Sequence, residues 1–286
     1  MQLIRILYFF FIKACASGPA EVSVTLLKNQ NLPGKSEPLD EDQISIDILL
    51  LTVEDCEFLG CLSFLNPSFR KFYGGDDLGF VYLGDTGEDR SKLKIAVMKC
   101  HRVSITPGGS SVSAMDAIEV LGPKAVFSVG FCGGLDSTKV KPGDVVVSEK
   151  LITYSPSKVT RDGIKETGVK VPLKSRLLKL IPNVRDGWSA PLKNPKKHEE
   201  VKICCGAFLS GPEVIEDNKQ CIALRNRFPE ALAVEMEGEG KSVTFFSIFV
   251  SGVDDSERLN KQFAVYLISP YRSCYLIVQF RIKNYR

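Results

Sequence analysis

Histidine is scarce in this chain, with only His101 and His198 in 286 residues. The nine cysteines include no CxxC pair and no ligand-spaced neighbours. A zinc site built from four Cys or His donors therefore has little to draw on, and no metal is expected. A charge excess is missing as well. The formal net charge is +3, too small to create the basic field that nucleic acid or an anionic membrane surface recruits. The one basic cluster, Lys193 to His198, contains Pro195 and reads as a solvated loop. No apolar run reaches the ~20 residues that cross a bilayer. These absences exclude nucleic acid and membrane as partners. What remains is 44% hydrophobic and 25% charged, the composition of an ordinary globular chain.

Several cysteines, among them Cys100, Cys132 and Cys204, stand in apolar runs, where a buried free thiol is the natural state. Free thiols in that number point to a reducing compartment without structural disulfides, and the chain is read as cytoplasmic. The N-terminus holds the competing pattern: Arg5, then Ile6 to Ile12, then Ala14-Cys15-Ala16, which has the order of a short signal peptide cut after Ala16. That apolar run is at the lower limit of length and Lys13 closes it. An unstructured leader is the plainer reading.

Residues 17 to 43 are polar and turn-rich, and with the preceding segment form a leader over 1–43. Strands are expected at Ile44 to Val53, Phe80 to Leu83, Lys94 to Lys99, Ala125 to Val129, Val145 to Ser148, Ile203 to Leu209 and Ala231 to Met236, from short runs rich in β-branched and apolar residues. Gly84 to Arg90 reads as a turn. Helices are expected at Glu54 to Leu65, Leu173 to Leu180 and Glu213 to Phe228. Another is expected at Ser110 to Leu121, where Val112, Met115, Ile118, Val120 and Leu121 supply the apolar spacing and Pro107-Gly108-Gly109-Ser110 the entry. Strand, helix and strand in alternation imply an α/β fold. The prediction is a single domain with a central twisted, mixed but largely parallel sheet flanked by helices, over 44–260, with its C-terminal part irregular or incomplete and an anomalous tail over 261–286. Ligands of such sheets bind at the carboxyl ends of the strands.

Four segments at such strand ends carry chemistry. Glu54, Asp55 and Glu57 follow the first strand, where a carboxylate can act as a general base or simply face a helix N-terminus. Gly130, Cys132 and Gly133 lie in Gly130 to Gly134, read as a tight turn between strand and helix whose glycines let backbone approach a ligand. Phe208, in Gly206 to Gly211, offers an aromatic face or core packing. Glu235, Met236 and Glu237 place two carboxylates two residues apart, on one face of an extended segment. A carboxylate there can accept both hydroxyls of a vicinal diol.

In this order the segments resemble the nucleoside phosphorylase and nucleosidase superfamily, over about residues 44 to 240, with Lys141 to Ser148 matching a further strand of it. The resemblance implies cleavage of the N-glycosidic bond of a purine-type nucleoside, as part of nucleoside metabolism. It implies that Glu237 holds the ribose diol, with Met236 packed on the sugar and Glu235 beside it. It implies that the ring in the Phe208 segment lies over the base, and that an acid after the first strand, Glu54 or Glu57, orients the attacking water. Asp255, in Ser251-Gly252-Val253-Asp254-Asp255, becomes the acid that protonates the departing purine. No organic cofactor is implied, inorganic phosphate being a co-substrate only in phosphorolysis. The partner is a small-molecule nucleoside, and a homo-oligomer is implied.

Two departures stand out. The phosphorylase members end their first strand in glycine and surround phosphate with arginines, whereas here the strand ends Leu51-Thr52 and Ser128 stands where one branch has arginine. Backbone N–H groups at Gly108, Gly109 and Ser110 are the remaining place for an anion. The second departure follows Gly240: between Glu237 and Asp255 the chain is too short for the family's helix and return. Gly240-Lys241-Ser242 is also what a common splice-donor sequence encodes, so the end is read as a truncated or read-through product. If the Asp255 acid is lost, the alternative function is a catalytically impaired module that binds or senses nucleosides.

Overall fold

The run Ile48–Thr52 forms the first strand, β1, and every one of its five residues is buried. Its side chains alternate between two cores, as the period of two requires. Ile48 and Leu50 join a cluster with Phe58, Cys61 and Leu62, while Leu49 and Leu51 join one with Ala114, Ala117 and Leu121. Each leucine buried in this way contributes roughly 1.5–3 kcal/mol, which is why a strand carrying no polar face lies in the middle of the sheet. The structure is a computed structural model that describes residues 27–34, 45–65, 68–73, 78–86, 92–101, 110–141, 144–154, 157–161, 163–166, 170–172, 178–179, 181–183, 202–211, 215, 217–235 and 247–254.

Helix α1 (Asp55–Leu62) follows β1. Then come β2 (Ser68–Tyr73), β3 (Gly79–Thr86) and β4 (Leu93–Lys99), helix α2 (Ser110–Leu121), β5 (Ala125–Gly134) and β6 (Val145–Thr153). The short strands β7 (Ser157–Thr160), β8 (Gly163–Glu166) and β9 (Lys170–Pro172) precede β10 (Ile203–Ser210). Helix α3 (Asn218–Arg227), β11 (Ala231–Glu235) and β12 (Ser247–Asp254) complete the order. The main sheet runs β11-β10-β6-β12-β5-β1-β4-β3-β2 and β11 also pairs with β5. Strands β5, β12, β6, β10 and β11 therefore close into a ring, a small barrel attached to an open sheet. Parallel pairings join β1 to β4 and β5, β10 to β6 and β11, and β12 to β5. The β2-β3-β4 meander is antiparallel, as are the contacts of β11 with β5 and β12 with β6.

The mixed, largely parallel α/β sheet expected from the sequence is present, with differences in detail. Gly84 to Thr86 continue a strand, because they pair with β2 and β4. Helix α2 has the expected limits but buries another face: Ala114 and Ala117 pack on the sheet, while Val112, Met115 and Val120 are exposed. Small side chains let the helix backbone come close to β1, and the larger apolar ones turn outward. Helix α3 starts at Asn218, capped by the Asp217 carboxylate, which accepts from Lys219 N–H at 3.2 Å. The expected helix at Leu173 to Leu180 falls largely outside the described residues. Part of the leader lies against the core, since Leu27 and Leu32 pack on the α1 side and Leu27 N–H donates to Ser63 Oγ at 2.8 Å.

The chain beyond Gly240 supplies a strand. Ser247–Asp254 pairs with Val126 to Gly133 along its whole length. The return expected to fail thus takes place, across residues 236–246, which lie outside the described ones. Twelve peptide steps extended span about 40 Å, ample for the roughly 23 Å from the Gly133 level back to the Val126 level of β5.

Two buried or half-buried acids tie the amino ends of the parallel strands. Asp47 accepts Lys94 N–H at 2.9 Å and Lys124 Nζ at 2.6 Å. Asp144 accepts the N–H groups of Lys141 and Lys202 at 2.9 and 3.0 Å. Those loops are closed off by structure, which leaves the carboxyl ends for ligand. Gly206 fixes the approach of β10 to β11: a β-carbon there would sit 2.6 Å from Leu232 Cδ1 and 2.7 Å from its Cγ. Gly206→Ala is expected to cost about 1–3 kcal/mol of stability through this overlap, measured by urea unfolding. An unchanged midpoint would show that Leu232 moves aside freely.

Candidate functional site

Along one edge of β5, β1 pairs with Ala125 to Ser128 and β11 with Gly133 and Gly134. Between these two stretches the neighbours of β5 part, and the first turn of α1 stands at the opening, at the carboxyl end of β1. Crevices of this kind are where open α/β sheets bind ligands.

Of the three acids after β1, the structure brings one into this crevice. Asp55 is exposed and paired with Lys99 Nζ at 2.5 Å. Glu54 is the N-cap of α1 and its carboxylate accepts the backbone N–H of Glu57, so it is engaged at the helix end. Glu57 is 2% exposed. Its Oε2 accepts the N–H groups of Val53 at 2.7 Å and Glu54 at 2.8 Å, and the helix N-terminus favours its negative charge. Its Oε1 is turned toward β5, where a β-carbon on Gly130 would lie 3.4 Å away. One oxygen is anchored and the other reaches the split in the sheet. One turn further on, burial, followed by the Glu57 charge, pushes the Cys61 thiol well above its ordinary range, so that Cys61 stays a neutral core residue.

The segment Gly130 to Gly134 is not a turn. It continues β5, because β12 takes one edge and β11 the other. The positive-φ glycines among the described residues are Gly79 and Gly122. Gly130 and Gly133 serve close approach instead, Gly130 to Glu57 and Gly133 to Val234, whose Cγ1 would lie 3.3 Å from an added β-carbon. Cys132 is 4% exposed and faces the barrel interior with Val140, Val146, Leu151, Cys204, Phe208 and Ala233.

Phe208 belongs to that interior and has 0% of its surface exposed. Its ring is covered by its neighbours and packs in the core of the barrel. Two residues beyond Leu151, Phe208 and Ala233 come Thr153, Ser210 and Glu235, on the same side of their strands. Ser210 is in register with Thr153 on β6 and with Glu235 on β11. All three are buried, at 5%, 0% and 6% exposure respectively. They form a polar row across the carboxyl ends of three parallel neighbours. Sequence reasoning singled out only Glu235; strand-final polar residues in otherwise apolar runs were the signal for the other two.

Ser110 opens α2. Gly108, Gly109, Met236, Glu237 and Asp255 lie outside the described residues, although the backbone of Asp254 ends β12 beside Gly133. Where the first strand ends, Thr52 fills the place with a side chain whose Oγ1 donates to Met98 O at 3.2 Å. Among the described residues no group of three His, Cys, Asp or Glu is placed to hold a metal ion, and no helix is long and apolar enough to cross a membrane.

Comparison with known proteins adds three kinds of likeness. The model of a family described as the phosphorylase superfamily matches residues 87–239. A death domain-containing ATP nucleosidase of Amphimedon queenslandica is 26% identical over 247 residues, which is 78% of this chain and 45% of that protein. A 5'-methylthioadenosine/S-adenosylhomocysteine nucleosidase of Baumannia cicadellinicola subsp. Homalodisca coagulata is 33% identical over 113 residues, 39% of this chain and 45% of the relative. The chain thus spans less than half the length of these two curated relatives. The solved 5'-methylthioadenosine/S-adenosylhomocysteine nucleosidase of Neisseria meningitidis, in complex with methylthio-immucillin-A, superposes with a TM-score of 0.60 at 18% identity, covering 77% of this chain and 91% of that one. The barrel with its attached sheet is therefore a fold already known in solved structures.

Proposed function

Because this chain belongs to the phosphorylase superfamily, with more than half of its residues matched, we propose that it cleaves the N-glycosidic bond of a purine-type nucleoside by hydrolysis. The observation that carries the reading is Glu57: a buried carboxylate, anchored through Oε2 by two backbone N–H groups, with Oε1 turned to the split in the sheet beside Gly130. In the reaction Glu57 takes a proton from water, and the water oxygen bonds to the anomeric carbon of the ribose. The carbon–nitrogen bond breaks and its electron pair leaves with the base, which receives a proton from Asp255. Glu237, with Glu235 beside it, holds the ribose hydroxyls. The oxocarbenium-like transition state is then stabilised by carboxylate charge, and Glu57, anchored by its two N–H donors, needs no reorganisation during the reaction.

Hydrolysis is favoured over phosphorolysis by three features. Both curated relatives are nucleosidases. Thr52 fills the end of β1 and hydrogen-bonds across to β4, and Lys99, in register with Thr52, is paired with Asp55. The test incubates the full chain with adenosine, inosine, methylthioadenosine, uridine and ATP, with and without inorganic phosphate, and measures free base. Base is expected from a purine substrate without phosphate, at a rate that phosphate leaves unchanged. Release only with phosphate overturns hydrolysis, and binding without release replaces the enzyme by a sensing module.

A further inference from the structure

The polar row holds two hydroxyls, those of Thr153 and Ser210, that the chemistry above leaves unused, and the second of them stands out. Ser210 Oγ is fully buried and has no hydrogen-bond partner among the described residues. A buried hydroxyl without a partner costs stability, and an apolar residue of the same shape is often as good or better there. Its position explains what the hydroxyl is for. On either side, in register and facing the same interior, stand Thr153 and Glu235. The row itself contains no cation, so an anionic group such as phosphate finds a carboxylate there and nothing to offset it. A neutral, hydroxyl-bearing group suits the row. Ser210 is sealed from solvent while Thr153 and Glu235 retain a little exposure, so a ligand reaches the row at its ends, one of which is the Glu235 carboxylate.

We infer that Ser210 is a positioning residue for Glu235, its hydroxyl closing onto the Glu235 carboxylate when a ribosyl hydroxyl engages that carboxylate. Binding then satisfies a donor that has no partner among the described residues. The donated hydrogen bond holds the carboxylate in the orientation that accepts from the sugar. The inference rests on the nucleoside reading given above.

The experiment compares the full-length wild type with Ser210→Ala, Glu235→Gln and the double variant, measuring ligand-free melting temperature and initial-rate kcat and KM with adenosine. Ser210→Ala is expected to melt no lower than wild type, since it removes an unsatisfied hydroxyl. Its KM is expected to rise about 2- to 10-fold, the worth of one net hydrogen bond, with kcat little changed. In the Glu235→Gln background the same substitution is expected to lose most of its effect, because coupled residues are non-additive. A lower melting temperature for Ser210→Ala overturns the inference, making Ser210 a structural donor. An unchanged KM, or an equal effect in both backgrounds, overturns it as well. A wild-type chain that neither binds nor cleaves any of the five compounds named above overturns the nucleoside reading itself, and is recognised because the first of the four proteins already fails; where another of the five is cleaved, that one replaces adenosine in the comparison.

Discussion

Glu57→Gln is expected to slow base release by about 10²- to 10⁴-fold, the usual contribution of a positioned general base, while the protein stays folded. The two effects separate because the carboxylate has two oxygens in two environments. Oε2 receives the N–H groups of Val53 and Glu54, and a glutamine amide oxygen accepts the same pair. Oε1, beside Gly130, becomes an NH2 group, which donates and cannot remove a proton from water. Glu57→Ala is the contrasting variant. It orphans two backbone donors in a buried position, at about 1–3 kcal/mol each, and is expected to lower the melting temperature along with activity. Base release and thermal melts on both variants check the pattern. Near-native activity in Glu57→Gln would reduce Glu57 to a helix cap and remove the central support for the hydrolytic reading.

The sequence contained the acids but not their ranking. Glu54, Asp55 and Glu57 stand within four residues, and spacing alone cannot say which is buried. What separates them is where α1 begins. With Glu54 at the N-cap, Glu57 occupies the third helical position and folds back over the cap, toward β5, while Asp55 points outward to Lys99. A shift of the helix start by one residue would have exchanged these roles, and helix starts are poorly marked in sequence when several acids compete for the cap.

The parallel core was legible for a simple reason: β1, β5, β6 and β10 are buried and read as near-continuous apolar runs. Strands β2, β7, β8 and β9 were missed, being short and carrying polar or charged residues at most positions. The glycines at 130–134 misled in a specific way. Glycine promises a turn when only local sequence is weighed, but here both edges of the segment are taken by β11 and β12, and tertiary pairing overrides propensity. Closure of the barrel depends on this same stretch, because β11 reaches β5 only where the glycines allow close approach. The end of the site proposed to hold ribose was visible as Glu235 at a strand terminus. The row containing Ser210 emerged only once register set Thr153, Ser210 and Glu235 side by side.

Phe208 decides between two readings of one aromatic residue, and the expected result is a large loss of stability without a specific loss of binding. Its side chain is fully enclosed among Cys132, Val140, Val146, Leu151, Cys204 and Ala233, so Phe208→Ala opens a cavity inside the barrel at an expected cost of about 3–5 kcal/mol. Phe208→Leu keeps most of the apolar volume and is expected to lose less, on the order of 1–2 kcal/mol. The leucine variant carries the argument about function. Were the ring stacked on a base, its removal would cost about 1–3 kcal/mol of binding, roughly 5- to 150-fold, whether or not the barrel remained full. A ring confined to the core leaves nucleoside affinity of the folded Phe208→Leu protein close to wild type. Urea unfolding of both variants, with KM for adenosine on the leucine variant below its melting range, tests the two outcomes together. A stable leucine variant with a KM raised tenfold would return Phe208 to the binding site and require the barrel to open when the base enters.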